Sequence, residues 1–357
     1  MEVKIALIGC GTVGRGLLEI LEKKRSQLKS SHGFEARVVA ISDMLMGSIL
    51  VPDGIQLDRL FALLDGGGRI DQYYGEGSTA ELLNPLDLIE QCDAQIIAEL
   101  TYTDIKTGEP ATGYIKKALR SGMHVVTSNK GPAALHYKEL SGLAHKNGLV
   151  FGIEGTVMSG TPVFSLVENG LAGNEIREVK GILNGTTNFI LTKMEQDNMA
   201  YADALKLAQQ LGYAEADPTA DVEGFDALAK VVILSNVLLG GDVAPADVKR
   251  QGITALTGEQ IQAAKDQGYR YKLIAQARRK GGKVDASVAP QKLALSDPLA
   301  GVMGAQNALT FDTDLLGKIT IQGPGAGKLE TGCAILADIL AIHGRLKEKH
   351  LRSVSNT

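Results

Sequence analysis

The sequence predicts an α/β protein in which a domain built on a parallel sheet is joined to a second, α+β domain. In the first part of the chain, apolar runs of β-rich composition alternate with segments of helical periodicity such as residues 113–122. This alternation is typical of parallel sheets assembled from βαβ units. The predicted strands lie in residues 3–9, 36–42, 94–100 and 124–129. After residue 155 the pattern changes, with strand-like segments at 282–294 and 318–323 and an amphipathic helix at 331–346.

The composition is that of an ordinary globular protein with two domains. The chain has 357 residues, of which 44% are hydrophobic and 22% are charged, and this length suits two domains. A net charge of −4 and the lack of basic runs argue against nucleic-acid or membrane partners. The three cysteines, Cys10, Cys92 and Cys333, have neither disulfide nor zinc spacing. With an N-terminus that enters a strand at once, these features predict a cytoplasmic protein.

A glycine-rich turn follows the first predicted strand. Gly9, Gly11 and Gly14 have the GxGxxG spacing between a strand and a helix, the context in which this motif binds a dinucleotide pyrophosphate. The alternative is a tight turn without a ligand. Asp43, after the second strand, could bind a ribose 2′-hydroxyl and would repel a 2′-phosphate, which favours NAD over NADP. Arg37, Arg59 or Arg69 could instead fold over a phosphate, so both cofactors stay open.

The most unusual stretch lies further along, where five carboxylates precede an apolar segment that contains a single lysine. Residues 227–239 contain one charge, Lys230, and their apolar side chains lie all round the predicted helix, as in a buried helix. A buried ammonium must be paired or have a lowered pKa. Asp226 lies four residues earlier on the same helix face and is the expected partner.

Two interpretations of this stretch remain open at this point. A structural one treats Asp226 and Lys230 as an ion pair and Asp221 as a helix cap in a solvated loop. A functional one notes that Glu215 and Asp217 add carboxylates around one lysine in a protein that binds a nicotinamide. Hydride transfer between carbon and oxygen needs a group that accepts or donates a proton, and such a lysine can do so.

The run from Ala208 to Lys230, "AQQLGYAEADPTADVEGFDALAK", resembles the signature of the homoserine dehydrogenases. Similar blocks occur throughout the chain, so the resemblance covers nearly its whole length: "TSNKGP" (127–132), "EGTVMSGTPV" (154–163), "GILNGTTNFI" (181–190) and "GPGAGKLETGCAILADIL" (323–340). The resemblance implies interconversion of L-homoserine and L-aspartate 4-semialdehyde with NAD or NADP, a step towards threonine, methionine and isoleucine.

By position, the resemblance also implies roles for individual residues. Lys230 would transfer the proton, with Asp226 as its partner and Lys130 as a second catalytic lysine that also touches the cofactor. Four further residues would bind the substrate: Glu215, Asp221, Gly185 and Thr186. The cofactor would be held by Gly9, Cys10, Gly11, Thr12, Val13, Gly14, Asp43, Thr101, Lys130 and Gly325.

Further expectations follow from the same resemblance. A monovalent cation, sodium in the family, would lie at Glu154, Val157, Ser159 and Thr161, although a turn-stabilising Glu154 is the alternative. The GPGAG segment would return the chain to the first domain, giving a discontinuous dinucleotide-binding domain of Rossmann type (1–150 and 311–357) and a substrate-binding and dimerisation domain (151–310). We expect a homodimer and a short form without a regulatory domain. Residues 44–77 have no assigned role.

Two other functions compete with this reading. A related NAD(P)-dependent oxidoreductase could act on another small hydroxy or oxo acid, and a nucleotide-binding sensor would show no turnover at all. Aspartate semialdehyde dehydrogenase needs a nucleophilic cysteine, and the surroundings of Cys92 in the sequence give no sign of activation. Tyr102 and Met158 depart from the family pattern near the nicotinamide and the cation block.

Overall fold

A computed structural model describes residues 1–73 and 83–355, which form two compact units. Unit 1 comprises Met1–Thr156 and Gly327–Thr357, and unit 2 comprises Val157–Ala326. Unit 1 is therefore made of two chain segments, and the second begins at Gly327, whereas the predicted dinucleotide-binding domain resumes at residue 311. The reason is strand pairing, because residues 306–324 form a hairpin that joins the sheet of unit 2.

Unit 1 is built on a six-stranded sheet with the order β3-β2-β1-β4-β5-β6. Five of its strands are parallel, and the short β3 pairs antiparallel with β2. The predicted parallel sheet is thus confirmed. The strands are β1 (Glu2–Ile8), β2 (Glu35–Asp43), β3 (Gly47–Leu50), β4 (Ile96–Glu99), β5 (His124–Thr127) and β6 (Phe151–Gly152).

Helices pack on both faces of this sheet, around two separate apolar clusters. The long C-terminal helix α13 lies against α1, and glycines allow the close approach, because a Cβ at Gly332 would lie 2.8 Å from the main chain of Gly16. The helices of unit 1 are α1 (Thr12–Lys23), α2 (Arg25–His32), α3 (Leu57–Asp65), α4 (Pro85–Gln91), α5 (Ala111–Arg120), α6 (Lys130–Leu135), α7 (Tyr137–Lys146) and α13 (Lys328–Ser355).

The segment 44–77, which had no assigned role, is in part an addition to this sheet. It supplies β3, α3 and a single helical turn, Ile70–Gln72, whose Asp71 N–H donates to the carbonyl of Met46 (3.2 Å). Residues 74–77 of that segment lie outside the described residues. None of the helices that the structure describes combines the length and the apolar character needed to cross a membrane.

Unit 2 is built on a second six-stranded sheet, with the order β12-β11-β7-β9-β10-β8. Its long strands pair antiparallel, and the two-residue β8 pairs parallel with β10. Together with the parallel sheet of unit 1, this confirms the predicted fold class. The strands are β7 (Ile176–Ile182), β8 (Lys249–Arg250), β9 (Tyr269–Lys280), β10 (Lys283–Ala294), β11 (Gln306–Thr313) and β12 (Gly317–Pro324).

The helices of unit 2 include one that is buried along almost its whole length. Every residue from Ala227 to Ser235 in α11 is buried, as the apolar side chains all round the helix predicted. This helix packs on β9 and β10. The helices are α8 (Gly185–Gln196), α9 (Tyr201–Gln210), α10 (Thr219–Val222), α11 (Phe225–Val237) and α12 (Gly258–Asp266).

Candidate active site

The glycine-rich turn of unit 1 connects β1 to α1, as the motif requires. Gly9 has φ +99°, and a Cβ on it would lie 2.5 Å from the main chain of Leu100 at the end of β4. A Cβ on Gly14 would lie 2.6 Å from the carbonyl oxygen of Gly9. These two glycines therefore permit the turn and the close packing of the helix on the strand.

Gly11 differs from both, because a Cβ there would meet no atom within 4 Å. It is the residue that precedes α1, and the first turn of that helix carries no acidic side chain. The main-chain N–H groups at the start of α1 have no acceptor within the helix. This open, positively polarised end fits a pyrophosphate, so the turn satisfies the requirements of a dinucleotide site.

Asp43 ends β2 beside this turn, and its carboxylate accepts three main-chain hydrogen bonds. Oδ2 accepts from the N–H of Cys10 at 2.8 Å, and Oδ1 accepts from Leu45 and Met46 at 2.9 and 3.0 Å. The residue expected to meet the ribose is thus fixed in position next to the phosphate loop. Burial, followed by the charge of Asp43, raises the pKa of the Cys10 thiol to about 12, so this cysteine is an unreactive part of the turn.

The three arginines that could have met a 2′-phosphate are each occupied. Arg37 pairs with Glu2 at 2.7 Å, and Arg59 lies over the ring of Tyr73. Arg69 pairs with Asp71 and donates to the carbonyl of Leu45 at 3.0 Å. Arg69 is therefore the arginine tied to the turn that follows Asp43.

A buried glutamate that the sequence analysis did not single out organises the ends of β4 and β5. Glu99 is fully buried and accepts hydrogen bonds from Thr101 and Thr127. Burial raises the pKa of its carboxyl group, and those hydrogen bonds act in the opposite direction. Asn129 donates to the carbonyl of Tyr102 (3.0 Å) and caps α6, whose first residue is Lys130. Thr101, in the loop after β4, and Lys130, the first residue of α6, are the two predicted cofactor residues next to these contacts.

The charged stretch of unit 2 forms a compact network around Lys230. Lys230 is 7% exposed, and its Nζ donates to Asp226 Oδ2 and to the main-chain carbonyl of Leu183, both at 2.7 Å. The expected pairing of Lys230 with Asp226 is therefore present. An ammonium has three N–H donors, so the two contacts leave a third for another acceptor.

Asn184 connects this pair to Asp221 and was missed by the sequence analysis. Its Nδ2 donates to Asp221 Oδ1 at 2.7 Å and to Asp226 Oδ2 at 3.0 Å, while its Oδ1 caps α8 by accepting from the N–H of Thr187. Burial raises the pKa of Asp221; the Asn184 hydrogen bond lowers it, and the nearby Asp226 charge raises it. Asn184 stands beside Gly185 in the NGTTN block, which was the available signal.

Other residues of the stretch have different positions from those expected. Asp221 does not cap α11, because Gly224 occupies that position in a left-handed conformation (φ +79°) that suits glycine. Glu223 accepts a hydrogen bond from Thr254 at 2.8 Å and pairs with Arg250 at 3.8 Å. Asp217 accepts a hydrogen bond from the N–H of Thr219 and stabilises the turn before α10.

The predicted substrate residues are not all brought to the Lys230 network. Thr186 is buried in the first turn of α8 and donates to the carbonyl of Tyr213 at 2.6 Å, and Gly185 begins that helix. Glu215 is exposed, and its main-chain carbonyl accepts a hydrogen bond from the side chain of Gln209. Gly325, a predicted cofactor residue, lies against Asn307, since a Cβ on Gly325 would overlap the Asn307 side chain.

The segment predicted to hold a cation is buried and has an unusual main chain. Glu154, near the end of the first segment of unit 1, is 3% exposed, and in unit 2 the side chains of Val157, Ser159 and Thr161 are buried too. Met158 and Ser159 both have positive φ, 59° and 52°. No group of three or more His, Cys, Asp and Glu side chains in the described ranges could hold a metal; the expected ligands are carbonyls, and the site stays a prediction.

The competing hypothesis, an aspartate semialdehyde dehydrogenase, requires an activated cysteine, and Cys92 is not activated. Burial raises the pKa of Cys92, and the thiol donates weakly to the carbonyl of Ile89. A nucleophilic cysteine needs a lowered pKa, so Cys92 is a packing residue.

Comparison with known proteins matches both parts of the chain to one family. The model described as "Homoserine dehydrogenase" matches residues 162–340, and "Homoserine dehydrogenase, NAD binding domain" matches residues 9–154. The chain is 46% identical over 343 residues to an NAD(+)-dependent homoserine dehydrogenase of Pseudomonas canavaninivorans, with 96% of each chain covered. It is 40% identical to the homoserine dehydrogenase of Methanocaldococcus jannaschii, with 96% of this chain and 99% of that one covered.

Solved structures give the same result. A putative homoserine dehydrogenase of Archaeoglobus fulgidus superposes with a TM-score of 0.85 at 38% identity, covering 95% of this chain and 99% of that one. A hyperthermophilic archaeal homoserine dehydrogenase in complex with NADPH has a TM-score of 0.80 at 32% identity, covering 97% and 98%. On these matches and the geometry of its two units, the chain belongs to the homoserine dehydrogenase family of NAD(P)-dependent oxidoreductases.

Proposed function

We propose that this family member interconverts L-homoserine and L-aspartate 4-semialdehyde, with Lys230 as the group that exchanges the proton and with NAD as the preferred cofactor. The observation that carries the proposal is the network in which Lys230, Asp226, Asn184 and Asp221 are joined by hydrogen bonds of 2.7 to 3.0 Å. The bound cofactor supplies the hydride acceptor or donor.

Lys230 is suited to the proton step by its contacts. Two of its donors are fixed by Asp226 and the carbonyl of Leu183, which leaves the third to point at a substrate oxygen. In the reducing direction the ammonium donates a proton as the carbonyl carbon receives hydride. In the oxidising direction the amine accepts the proton of the hydroxyl group while the carbon loses hydride.

Asp226 and Asp221 have complementary tasks in this proposal. Asp226 holds the Lys230 ammonium at i to i+4 spacing on α11. Asp221 binds a cationic or hydroxyl group of the substrate, and Glu215, Gly185 and Thr186 complete the substrate residues. In unit 1, Lys130 is proposed as the second catalytic lysine, on the cofactor side of the reaction.

The preference for NAD is supported by Asp43 and by one relative. The Asp43 carboxylate is held beside the phosphate loop by three main-chain N–H groups, where it would attract a ribose hydroxyl and repel a phosphate. The relative from Pseudomonas canavaninivorans is named as NAD(+)-dependent, whereas the archaeal structure holds NADPH. We propose cofactor binding by Gly9, Cys10, Gly11, Thr12, Val13, Gly14, Asp43, Thr101, Lys130 and Gly325.

The test is a substrate panel with both cofactors. Formation of reduced nicotinamide is followed with L-homoserine and with other small hydroxy acids, each with NAD and with NADP. Turnover of L-homoserine with a higher kcat/KM for NAD is expected. Turnover of a different acid in its place would contradict the proposed substrate, and preference for NADP would contradict the proposed role of Asp43.

A homodimer and a cytoplasmic location are proposed with this function. Unit 2 offers an antiparallel sheet whose edge strand β12 carries alternately exposed and half-buried residues, and cysteines Cys10, Cys92 and Cys333 are free thiols. A dimer is expected by light scattering, and a monomer at working concentrations would contradict it. Replacing sodium by a larger cation, with activity and thermal stability measured, tests the cation site at Glu154, Val157, Ser159 and Thr161.

A further inference from the structure

A fully buried asparagine in unit 2 has a side chain without a partner. Asn307, the second residue of β11, is 0% exposed. Within the part of the chain that the structure describes, neither its Nδ2 nor its Oδ1 makes a hydrogen bond. Buried amides of this kind are nearly always satisfied, because each unpaired group loses its hydration without compensation. We therefore expect a ligand or a water molecule to bind the side-chain amide of Asn307.

Two glycines, Gly185 and Gly325, lie next to this amide. A Cβ at Gly325, in the GPGAG segment, would overlap the side-chain amide of Asn307. A Cβ at Gly185 would lie 2.6 Å from the carbonyl of Ala305 and 3.5 Å from Asn307 Oδ1. Two glycines thus lie next to one unpaired amide, and glycine is the residue that allows a ligand to approach the main chain closely.

Gly185 is also the first residue of α8, so the amide lies beside a helix N-terminus. The helix has 12 residues, and the N–H groups of Gly185 and Thr186 have no acceptor within it. The cap residue, Asn184, already uses its Oδ1 for Thr187 and its Nδ2 for Asp221 and Asp226. The N-terminus of the helix attracts a negatively charged group. The Asn307 side chain can donate an N–H to the same group, because which end of an amide is the nitrogen is assigned from its hydrogen-bond partners.

We propose that Asn307 is a substrate-binding residue, whose side-chain amide binds the carboxylate of the amino-acid substrate together with the first N–H groups of α8. The inference rests on the proposed function and adds to it a residue that recognises one end of the substrate. Asp221 and Asp226, which accept hydrogen bonds from the Asn184 side chain, provide the negative charge for a cationic group. In this proposal the carboxylate of a zwitterionic substrate is bound by Asn307 and the start of α8, and its ammonium is bound by the aspartates.

The test compares two substrates that differ in the carboxylate alone. L-Homoserine has it, and 3-aminopropan-1-ol lacks it but keeps the ammonium and the hydroxyl group. In Asn307→Ala, kcat/KM for L-homoserine should fall about 10- to 100-fold, the scale of a lost hydrogen bond to a charged group, mainly through KM. The value for 3-aminopropan-1-ol, or its inhibition constant against L-homoserine, should stay unchanged.

A second variant and a control keep the test independent of folding. Asn307→Asp has nearly the same shape but opposes the carboxylate with a negative charge, so L-homoserine should be affected more than in Asn307→Ala. Asn174→Ala is the matched control, because Asn174 Oδ1 is also buried without a partner among the described residues but lies in a turn before β7. It should leave the ratio between the two compounds unchanged.

Equal losses for both compounds in the Asn307 variants would overturn the inference, since they would indicate a structural role or a cofactor contact. Unchanged values for both compounds would also overturn the inference and would indicate a buried water as the partner of the Asn307 amide. Failure of the wild type to turn over L-homoserine would contradict the proposed function itself, which is a separate result.

Discussion

Unit 2 contains two buried lysines that are held in opposite ways. Lys230 is 7% exposed and bonds to the carboxylate of Asp226. Lys272 is 1% exposed and bonds to neutral acceptors, the side-chain oxygen of Asn188 (2.8 Å), the carbonyl of Val302 and the sulfur of Met303. Burial is thus not what distinguishes Lys230, the proposed catalytic lysine, from Lys272. The difference lies in the partners, because carboxylates and an asparagine amide surround Lys230 with groups that can also meet a polar substrate.

The largest expected effect is on Lys230. Replacement of Lys230 by alanine should lower kcat at least about 100-fold, the scale of losing a general acid or base. Lys193→Ala is the matched control, since Lys193 also forms an i to i+4 pair, with Asp197 at 2.8 Å, in the same unit. The control should keep the wild-type kcat. Equal kcat values in the two variants would make the Asp226–Lys230 pair structural.

The second effect concerns Lys272 and appears in stability. Burial lowers its pKa from 10.5 to about 8, so between those pH values the unfolded chain binds more protons than the folded one. The free energy of unfolding contributed by this group therefore rises with pH across that window. Relative to Lys272→Met, the wild type should gain about 2 kcal/mol between pH 7.5 and 9.5 in urea unfolding. A constant difference between the two proteins would contradict a lowered pKa.

A smaller effect is expected where Asn184 links the two aspartates. Asn184→Ser keeps an oxygen to cap α8 but loses the Nδ2 that donates to Asp221 and Asp226. Because this hydrogen bond lowers the pKa of Asp221, its loss should raise that pKa and move the acidic limb of the kcat/KM profile to higher pH. We also expect kcat/KM to fall about tenfold, for a loss of about 1.4 kcal/mol. An unchanged acidic limb would mean that Asp221 does not act in its ionised form.

The smallest effect extends the comparison to unit 1, where the site is made of main chain. A Cβ at Gly11 meets no protein atom, so Gly11→Ala should leave the melting temperature unchanged but raise KM for the cofactor a few-fold, on the order of 1 kcal/mol. Gly142→Ala, an open position on α7, is the control for adding a methyl group to a helix. An unchanged cofactor KM in Gly11→Ala would place the pyrophosphate elsewhere.

The phosphate turn of unit 1 and the Lys230 network of unit 2 differ in how far the sequence could predict them. The phosphate turn is continuous along the chain, so the spacing of Gly9, Gly11 and Gly14 between a strand and a helix was sufficient. The Lys230–Asp226 pair could be predicted as well, because helical periodicity places residues four apart on one face.

The remaining contacts join distant parts of the chain and could not be read from spacing. Asn184 meets Asp221 across 37 residues, and Asn307 meets Gly325 through hairpin pairing of β11 and β12. The same pairing explains why residues 311–326 belong to unit 2. Such contacts depend on which strands become neighbours, and local periodicity carries no information on that.

The central claim, that Lys230 transfers the proton, is tested most directly by chemical rescue of Lys230→Ala. Small primary amines added to the variant should restore turnover of L-homoserine in proportion to their concentration, and amines of different pKa should differ in rate, because each would replace the missing proton carrier. The Lys193→Ala protein should show no such response. A Lys230→Ala variant that binds substrate and cofactor normally but is not rescued by any amine would contradict the claim.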